Sequence, residues 1–551
     1  MQFSMVGSLG IVLASLIAHP ATACAQGPRF EMSIAPTLRR QPVTGRLIVA
    51  VSKNPQPEPG FAIGPHGPAI FGIDLDQLRP GDTVVIDDKA AGYPTPLSRL
   101  SPGSYWVQPI INVYERVSRS DGHTIWVPIN DGRAEFFNRR AGNLYGDPQP
   151  LRLGPATTAH LTISRVIPEE VRRPDTDWVK RVRIQSQKLT AFWGRPMYIH
   201  ATVLLPRGYD AHPTVRYPVI FTLGHGVPFF FSTDSSQGRR VNPVSGMETG
   251  YDFYHSWKAE DFPRVIAISL EQNTPYFLDS YSVNSANNGP YGDAVVQEII
   301  PELEQRFRIL GKPYARQLEG ASTSGWQTLA LQLRNPDFFG GAWILQPDPI
   351  DFRRYGLVDI YSDTNAFASV NGQFTVAERP FRRTVEGQVR LTNRQVSLFE
   401  DVLGSRGRSG YQLEAWEAVY GPIGADGYPK QLWDKRTGTI DRSVAEHMRE
   451  HGYDLRAHLE KNWPVLGPKL AGKLHFFCGD MDDFYLNLAV YQTEDFLKTT
   501  TNPKSDAQFT YGRPMKGHSW HAWMWAEFVR LFAAHVKRNA PPGENTAAWN
   551  Y

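Results

Sequence analysis

At 551 residues the chain exceeds what one hydrophobic core ordinarily supports, so two domains, or one domain with insertions, are expected. Its 58 basic and 55 acidic residues leave a formal net charge of +3 with no long run of either sign, which argues against nucleic acid or another polyanion as partner. The 14 Trp and 23 Tyr suit aromatic-lined clefts and ordinary cores alike.

Residues 1–25 read as a secretory signal peptide: the apolar run Leu9–Ala18 is followed by Pro20 and by small-residue sites at Ala21–Ala23 and Ala23–Ala25. The run is shorter than the roughly 20 residues of a membrane span, and no later segment is long and apolar enough, so a secreted or periplasmic protein without a transmembrane span is expected. Cys24 offers lipid anchoring as an alternative. Cleavage after Ala25 leaves Cys478 alone, so cores rather than disulfides must hold the fold.

Residues 26–166 read as an antiparallel β-sandwich accessory domain. Short β-prone runs at Leu47–Val51, Ala69–Ile73, Thr83–Ile86, Tyr105–Tyr114 and Thr124–Ile129 are separated by Pro- and Gly-rich turns, and no helix-length amphipathic stretch interrupts them. Residues 167–180, rich in Pro, Glu, Arg and Asp, read as a linker.

The pattern then changes. Val182–Ile184 and Met197–Leu205 suggest an opening antiparallel pair, and Tyr217–Leu223, Arg264–Leu270, Gly341–Leu345 and Lys473–Phe477 are continuous apolar runs suited to buried parallel strands. Helical segments such as Ala294–Arg308 lie between them, so residues 181–551 read as an α/β domain. The alternation stops over about 350–470, a stretch of mixed helical pattern read as a mainly helical cap inserted into the sheet.

Within this domain Gly320-Ala321-Ser322-Thr323-Ser324-Gly325-Trp326 joins a strand to a helix through small residues, as a nucleophile elbow with Ser322 at its apex requires. Ser324 stands where G-x-S-x-G has its second glycine. A helix N-cap at Ser322 is the plainer alternative. A serine nucleophile needs a base and an acid, which follow it in this order in such folds. Gly479-Asp480-Met481-Asp482-Asp483 follows an apolar strand, and Asp482 is the first choice of acid before Asp480 and Asp483. His518, in Lys516-Gly517-His518-Ser519-Trp520-His521 after the β-prone Gln508–Tyr511, is the candidate base; His521 is expected one turn into the final helix. Candidate oxyanion donors are the amide of Thr323 and one from the Leu223–Val227 turn, where His225 is alternatively a substrate contact. Tyr281, Asn284 and Asn287 in the loop Asp279–Gly292, with Trp326, are candidate substrate contacts, although Asn-Gly-Pro clusters also form ordinary turns. Nothing in the pattern calls for a metal or a cofactor.

The elbow, Tyr217-Pro218 before its apolar strand, and His518-Ser519-Trp520 with Trp523 together resemble the esterase D-type esterases of the α/β-hydrolase superfamily, which are related to mycolyltransferases. The resemblance runs from about Arg181 to the C-terminus and implies Ser322 as nucleophile, His518 as base and an Asp of the Gly479 loop as acid. The relatives often carry Glu as the acid, and the β-rich N-terminal region is outside their common core. An exported serine hydrolase acting on a small-molecule or polymer-linked ester is therefore expected. Acyl transfer to a sugar or lipid hydroxyl and a non-catalytic binding protein on the same fold are the alternatives.

Overall fold

The computed structural model describes residues 27–128, 136–171, 173–236, 246–369 and 378–551. The leader read at residues 1–25, with Cys24, lies outside the described residues.

Four of the short β-prone runs near the N-terminus build two sheets, and the fifth, at Thr124–Val127, pairs instead with Glu115–Ser118 in a two-stranded hairpin of its own. Arg29–Ile34 lies between Thr83–Ile86 and Thr158–Ile163 in a three-stranded sheet, and Val43–Ser52 lies between Ala69–Leu78 and Gly103–Val113 in a seven-stranded one. Side chains alternate along a strand, so Phe30, Met32 and Ile34 of the first sheet meet Leu47, Val49 and Val51 of the second in one apolar core. One pair departs from the antiparallel expectation: Arg29–Ile34 runs parallel to Thr158–Ile163. These strands come from opposite ends of the region, and the whole of it serves as the long crossover that a parallel pair needs.

The outer face of the larger sheet is covered by the segment expected to be a cap. Ile48, Ala50 and Ile70 pack against Phe399 and Val402 of the helix Asn393–Leu403. Buried Arg46 donates to the carbonyls of Asp401 at 2.8 Å and Val402 at 2.9 Å.

Eight further strands form one sheet: β1 (Val179–Ser186), β2 (Met197–Leu204), β3 (Val219–Thr222), β4 (Ile266–Glu271), β5 (Arg316–Ser322), β6 (Gly341–Pro347), β7 (Leu474–Gly479) and β8 (Gln508–Gly512). Their order is β1-β2-β4-β3-β5-β6-β7-β8. Only β2 is antiparallel to its neighbours. The remaining pairs are parallel. β1 starts inside the stretch read as linker. β3 and β6 are buried at every position, as strands covered on both faces must be. This strand order, with the serine turn at the carboxyl end of β5, is the α/β-hydrolase arrangement that the motifs resemble. The turn leads into helix α1 (Thr323–Arg334).

Between β6 and β7 the chain makes several helices, among them α2 (Gln412–Tyr420), and a hairpin of Pro380–Arg383 with Val389–Thr392. They share a core with α1. Trp326 lies 4.9 Å from Tyr420 and 5.6 Å from Tyr281, ring centre to ring centre. Each such buried ring contributes about 1.5–3 kcal/mol. Lys435 is buried in the same segment and pairs with Glu417 at 2.9 Å. The last helix among the described residues, α3 (Trp525–Asn539), begins four residues after His521, so His521 lies in the preceding loop rather than in the helix.

Candidate active site

Ser322 is the last residue of β5 and has φ 60° and ψ −123°, a conformation that costs an L-residue free energy and holds its side chain clear of both flanking elements. The neighbours must be small for the turn to close. A Cβ on Gly320 would lie 2.5 Å from Cβ of Ser324, and one on Gly325 would lie 2.5 Å from the carbonyl oxygen of Leu345 in β6. Ser324 has its own use at the place of the usual glycine: its hydroxyl donates to the carbonyl of Leu223 at 2.6 Å and ties the turn after β3 to the elbow.

The candidate acid and base come from the loops after β7 and β8. A Cβ on Gly479 would stand 2.2 Å from the carbonyl oxygen of Lys516, so glycine lets the two loops touch. Asp482, wholly buried, places Oδ2 at 2.7 Å from Nδ1 of His518. Its Oδ1 accepts the backbone amides of Phe484 at 2.9 Å and Leu486 at 3.2 Å, which fixes the carboxylate plane. The other two aspartates hold the histidine loop by its backbone. Asp480 accepts the amide of Lys516 at 2.9 Å, and Asp483 accepts the amide of His518 at 3.1 Å. Burial pulls the His518 pKa down, but the charge and hydrogen bond of Asp482 outweigh it, and the net position is above the ordinary 6.5. His521 is displaced the other way, to about 4, by burial and by His518 beside it.

The serine hydroxyl meets an acid that the motifs did not single out. Ser322 Oγ donates to Oδ1 of Asp348 at 3.2 Å, and no hydrogen bond joins Ser322 to His518 among the described residues. Asp348 directly follows β6, and its amide donates to the Ser322 carbonyl at 3.1 Å. Its Oδ2 accepts from the Tyr281 hydroxyl at 2.6 Å, from Trp416 Nε1 and Gln412 Nε2 of α2 at 3.1 Å each, and from the Thr323 hydroxyl at 3.2 Å. Burial raises its pKa above 3.8 while these donors oppose the rise. A sequence signal existed, an aspartate at the carboxyl end of the strand next to the elbow strand.

The other candidates fall into four groups. Thr323 opens α1, so its amide is one of the unpaired donors of the first turn. His225 lies on the turn after β3 with Nε2 3.8 Å from Oδ2 of Asp279, whose carboxyl burial pushes up to about 6. Tyr281, Asn287 and Trp326 are wholly buried: Tyr281 holds Asp348, Asn287 donates to the carbonyls of Ala418 and Gly421, and Trp326 belongs to the core. Asn284 is exposed and lines a separate cleft with Arg334 and His458. None of these four side chains lines the cleft beside Ala321 and His518, because the loop of Tyr281, Asn284 and Asn287 folds beneath α1 and α2 and Trp326 points from α1 into the same core.

That cleft, about 820 Å³, is lined by Ala321, Gln346, His518 and His521 among others. A smaller cavity of about 200 Å³ adjoins it behind Ala321. Among the described residues, no group of three or more His, Cys, Asp or Glu side chains could hold a metal ion, and no helix is long and apolar enough to cross a membrane.

No family model and no curated protein matches the chain. Among solved structures it is similar to a ferulic acid esterase, at 15% identity over 66% of this chain and 98% of that one, with a TM-score of 0.34. It is also similar to the fluorophosphonate-binding serine hydrolase FphF of Staphylococcus aureus, at 14% identity over 65% and 98% with a TM-score of 0.32. The S-formylglutathione hydrolase of Agrobacterium tumefaciens matches at 11% identity over 66% and 98%, with a TM-score of 0.31. Likenesses this distant leave both fold and chemistry to be read from the strand order and the side chains above.

Proposed function

We propose that the chain is a serine hydrolase of carboxylic esters in which Ser322 is the nucleophile, His518 the base and Asp482 the residue that orients it. The observation that carries this reading is the buried His518–Asp482 pair at 2.7 Å, set on neighbouring loops at the same end of the sheet as the strained Ser322. Asp482 accepts the Nδ1 proton and so leaves Nε2 of His518 free to accept another. For catalysis the Ser322 hydroxyl has to leave Asp348 and turn to that nitrogen, as catalytic hydrogen bonds that form fully only in the substrate complex do.

The serine oxygen then adds to the ester carbonyl while His518 takes its proton. The amide of Thr323 and one from the Leu223–Val227 turn, at or next to His225, face the oxyanion. Collapse breaks the bond to the alcohol oxygen, His518 returns the proton to it, and an acyl-enzyme remains. Water, deprotonated by His518, releases the acid and restores Ser322. Asp348 holds the resting hydroxyl and stabilises the imidazolium formed in each half-reaction.

We assign residues 26–166 as an accessory unit and about 350–470 as the cap, through whose Gln412 and Trp416 the insertion reaches Asp348, the residue that holds the serine hydroxyl. Export, read from residues 1–25, belongs to the same proposal. A second reading, a non-catalytic binding protein, is favoured by one observation, the engagement of Ser322 with Asp348. Incubation with a fluorophosphonate separates the two: covalent labelling at Ser322, with turnover of 4-nitrophenyl acetate, supports the hydrolase. An unlabelled, well-folded protein that leaves every ester intact overturns it.

A further inference from the structure

The cavity of about 200 Å³ behind the elbow contains a carboxyl group with nothing to bind it. Glu319 precedes Ala321 by two residues on β5, so both side chains point to the same face, Ala321 at the mouth of the cavity and Glu319 about 7 Å deeper. Glu319 is 6% exposed and faces the cavity, and among the described residues no hydrogen bond or ion pair reaches its carboxyl group. A buried carboxyl without a partner is costly to keep unless something completes it.

The rest of the lining states what that would be. The hydroxyl protons of Thr222, Ser269 and Ser324 are committed to the carbonyls of Ile268, Gly226 and Leu223, at 3.4, 2.5 and 2.6 Å. Each therefore offers the cavity lone pairs and no proton. His521 adds a buried Nδ1 without a partner. No Lys or Arg lines the space; His225 stands at its edge, on the turn after β3 and 3.8 Å from Asp279, and the remaining walls are apolar or aromatic, with Val227, Phe229 and Trp525 among them. An acceptor-rich pocket of this kind is complementary to a small cation with several N–H donors, and the aromatic walls favour the same charge.

We propose that this cavity is the acyl subsite of the ester hydrolase and takes an acyl chain of roughly five or six heavy atoms ending in a primary ammonium, which pairs with Glu319. The size follows from the volume, since a cavity of about 150 Å³ admits benzene. The cavity adjoins the cleft at His518, since Phe230, Ala321, His521 and Trp525 line both. The inference rests on the serine-hydrolase reading of Ser322 for the word acyl, but not for the cation site itself.

The test is therefore made first without turnover. Calorimetric titration of the full chain with n-pentylammonium chloride and with n-pentanol, at pH 7 in buffers of different ionisation enthalpy, reads affinity and proton release together. Burial holds the Glu319 pKa up at about 8, so the free carboxyl is mostly protonated at pH 7 and pairing with an ammonium must expel close to one proton. The expected result is binding of pentylammonium at least tenfold tighter than pentanol, with that release, and loss of both in Glu319→Gln. Equal affinity for the alcohol, binding without proton release, or an unaffected Glu319→Gln protein would each overturn the site. The wild-type preference for pentylammonium over pentanol decides the matter even if the variant does not fold. In the second arm, kcat/KM for 4-nitrophenyl 5-aminopentanoate should exceed that for 4-nitrophenyl hexanoate at least tenfold, and the ratio should fall to near one in Glu319→Gln. A protein that labels with fluorophosphonate but shows no preference refutes the acyl subsite alone. One that binds pentylammonium with proton release but never labels refutes the hydrolase and keeps the cation site.

Discussion

Replacing Asp482 by Asn exchanges one oxygen for an NH2 group, and the structure dictates where that group must go. Oδ1 is held by two backbone N–H donors, from Phe484 and Leu486, so the amide oxygen is retained there and the nitrogen takes the place of Oδ2, 2.7 Å from Nδ1 of His518. An amide nitrogen donates, so Nδ1 must accept and the imidazole proton moves to Nε2, the atom that should receive the proton of Ser322. The histidine stays in place in the wrong tautomer. A loss on the order of 10⁴ in kcat, about 5.5 kcal/mol of transition-state stabilisation, is expected for such a swap. The measurement is kcat/KM for 4-nitrophenyl acetate from pH 5 to 9, with circular dichroism showing an unchanged fold. In the wild type, the rate should rise with pH through a midpoint above 6.5, because Asp482 stabilises the imidazolium that cannot act as base. A folded Asn variant within tenfold of the wild type would refute the assignment of Asp482, and loss of activity in Asp480→Asn instead would move the acid to that residue.

Ser322→Ala should abolish both fluorophosphonate labelling and turnover, and Ser322→Ala/His518→Ala should be no slower than the single variant, because both groups serve one step; a further large loss in the double variant would contradict that coupling. Asp348→Asn removes a negative charge that favours the imidazolium, so the midpoint of the kcat/KM profile should move to lower pH; an unchanged midpoint would show that Asp348 acts on the backbone alone. Lys435→Met leaves the buried Glu417 without its cation and should cost about 3–5 kcal/mol in urea unfolding, whereas a neutral result would mean that the segment relaxes to admit water. Burial raises Glu319 and Glu414 to about 8 and Glu400 to about 7 from 4.5, so the folded state binds more protons than the unfolded one; the stability they contribute is whole below pH 4.5 and is lost as pH rises through 7 to 8, which thermal melts at pH 5.5 and 8.5 should show.

The strand and helix pattern was legible in the sequence because it depends on local periodicity: the continuous apolar runs became buried parallel strands, and the glycines and small residues around Ser322 marked a turn that only such residues can close. The chain order of Ser322, Asp482 and His518 was legible for the same reason, since each stands just beyond a recognisable strand. What periodicity cannot carry is which loops meet. Three aspartates within four residues are indistinguishable in sequence, and only the approach of the His518 loop across Gly479 gives Asp482 the ring and leaves Asp480 and Asp483 the backbone. Tyr281, Asn287 and Trp326 looked like pocket residues because aromatic and amide side chains bind ligands, yet the insertion folds over them and turns them into its core. Asp348 drew no notice because its importance depends on β6 lying beside β5 and on Gln412 and Trp416 of α2 returning to it from 64 and 68 residues along the chain, a contact made through space. Glu319 is the opposite case: the acid itself is plain in the sequence, two residues before the elbow's Ala321, but that its carboxyl finds no partner among the described residues is a property of every side chain around it, and only the assembled structure decides it.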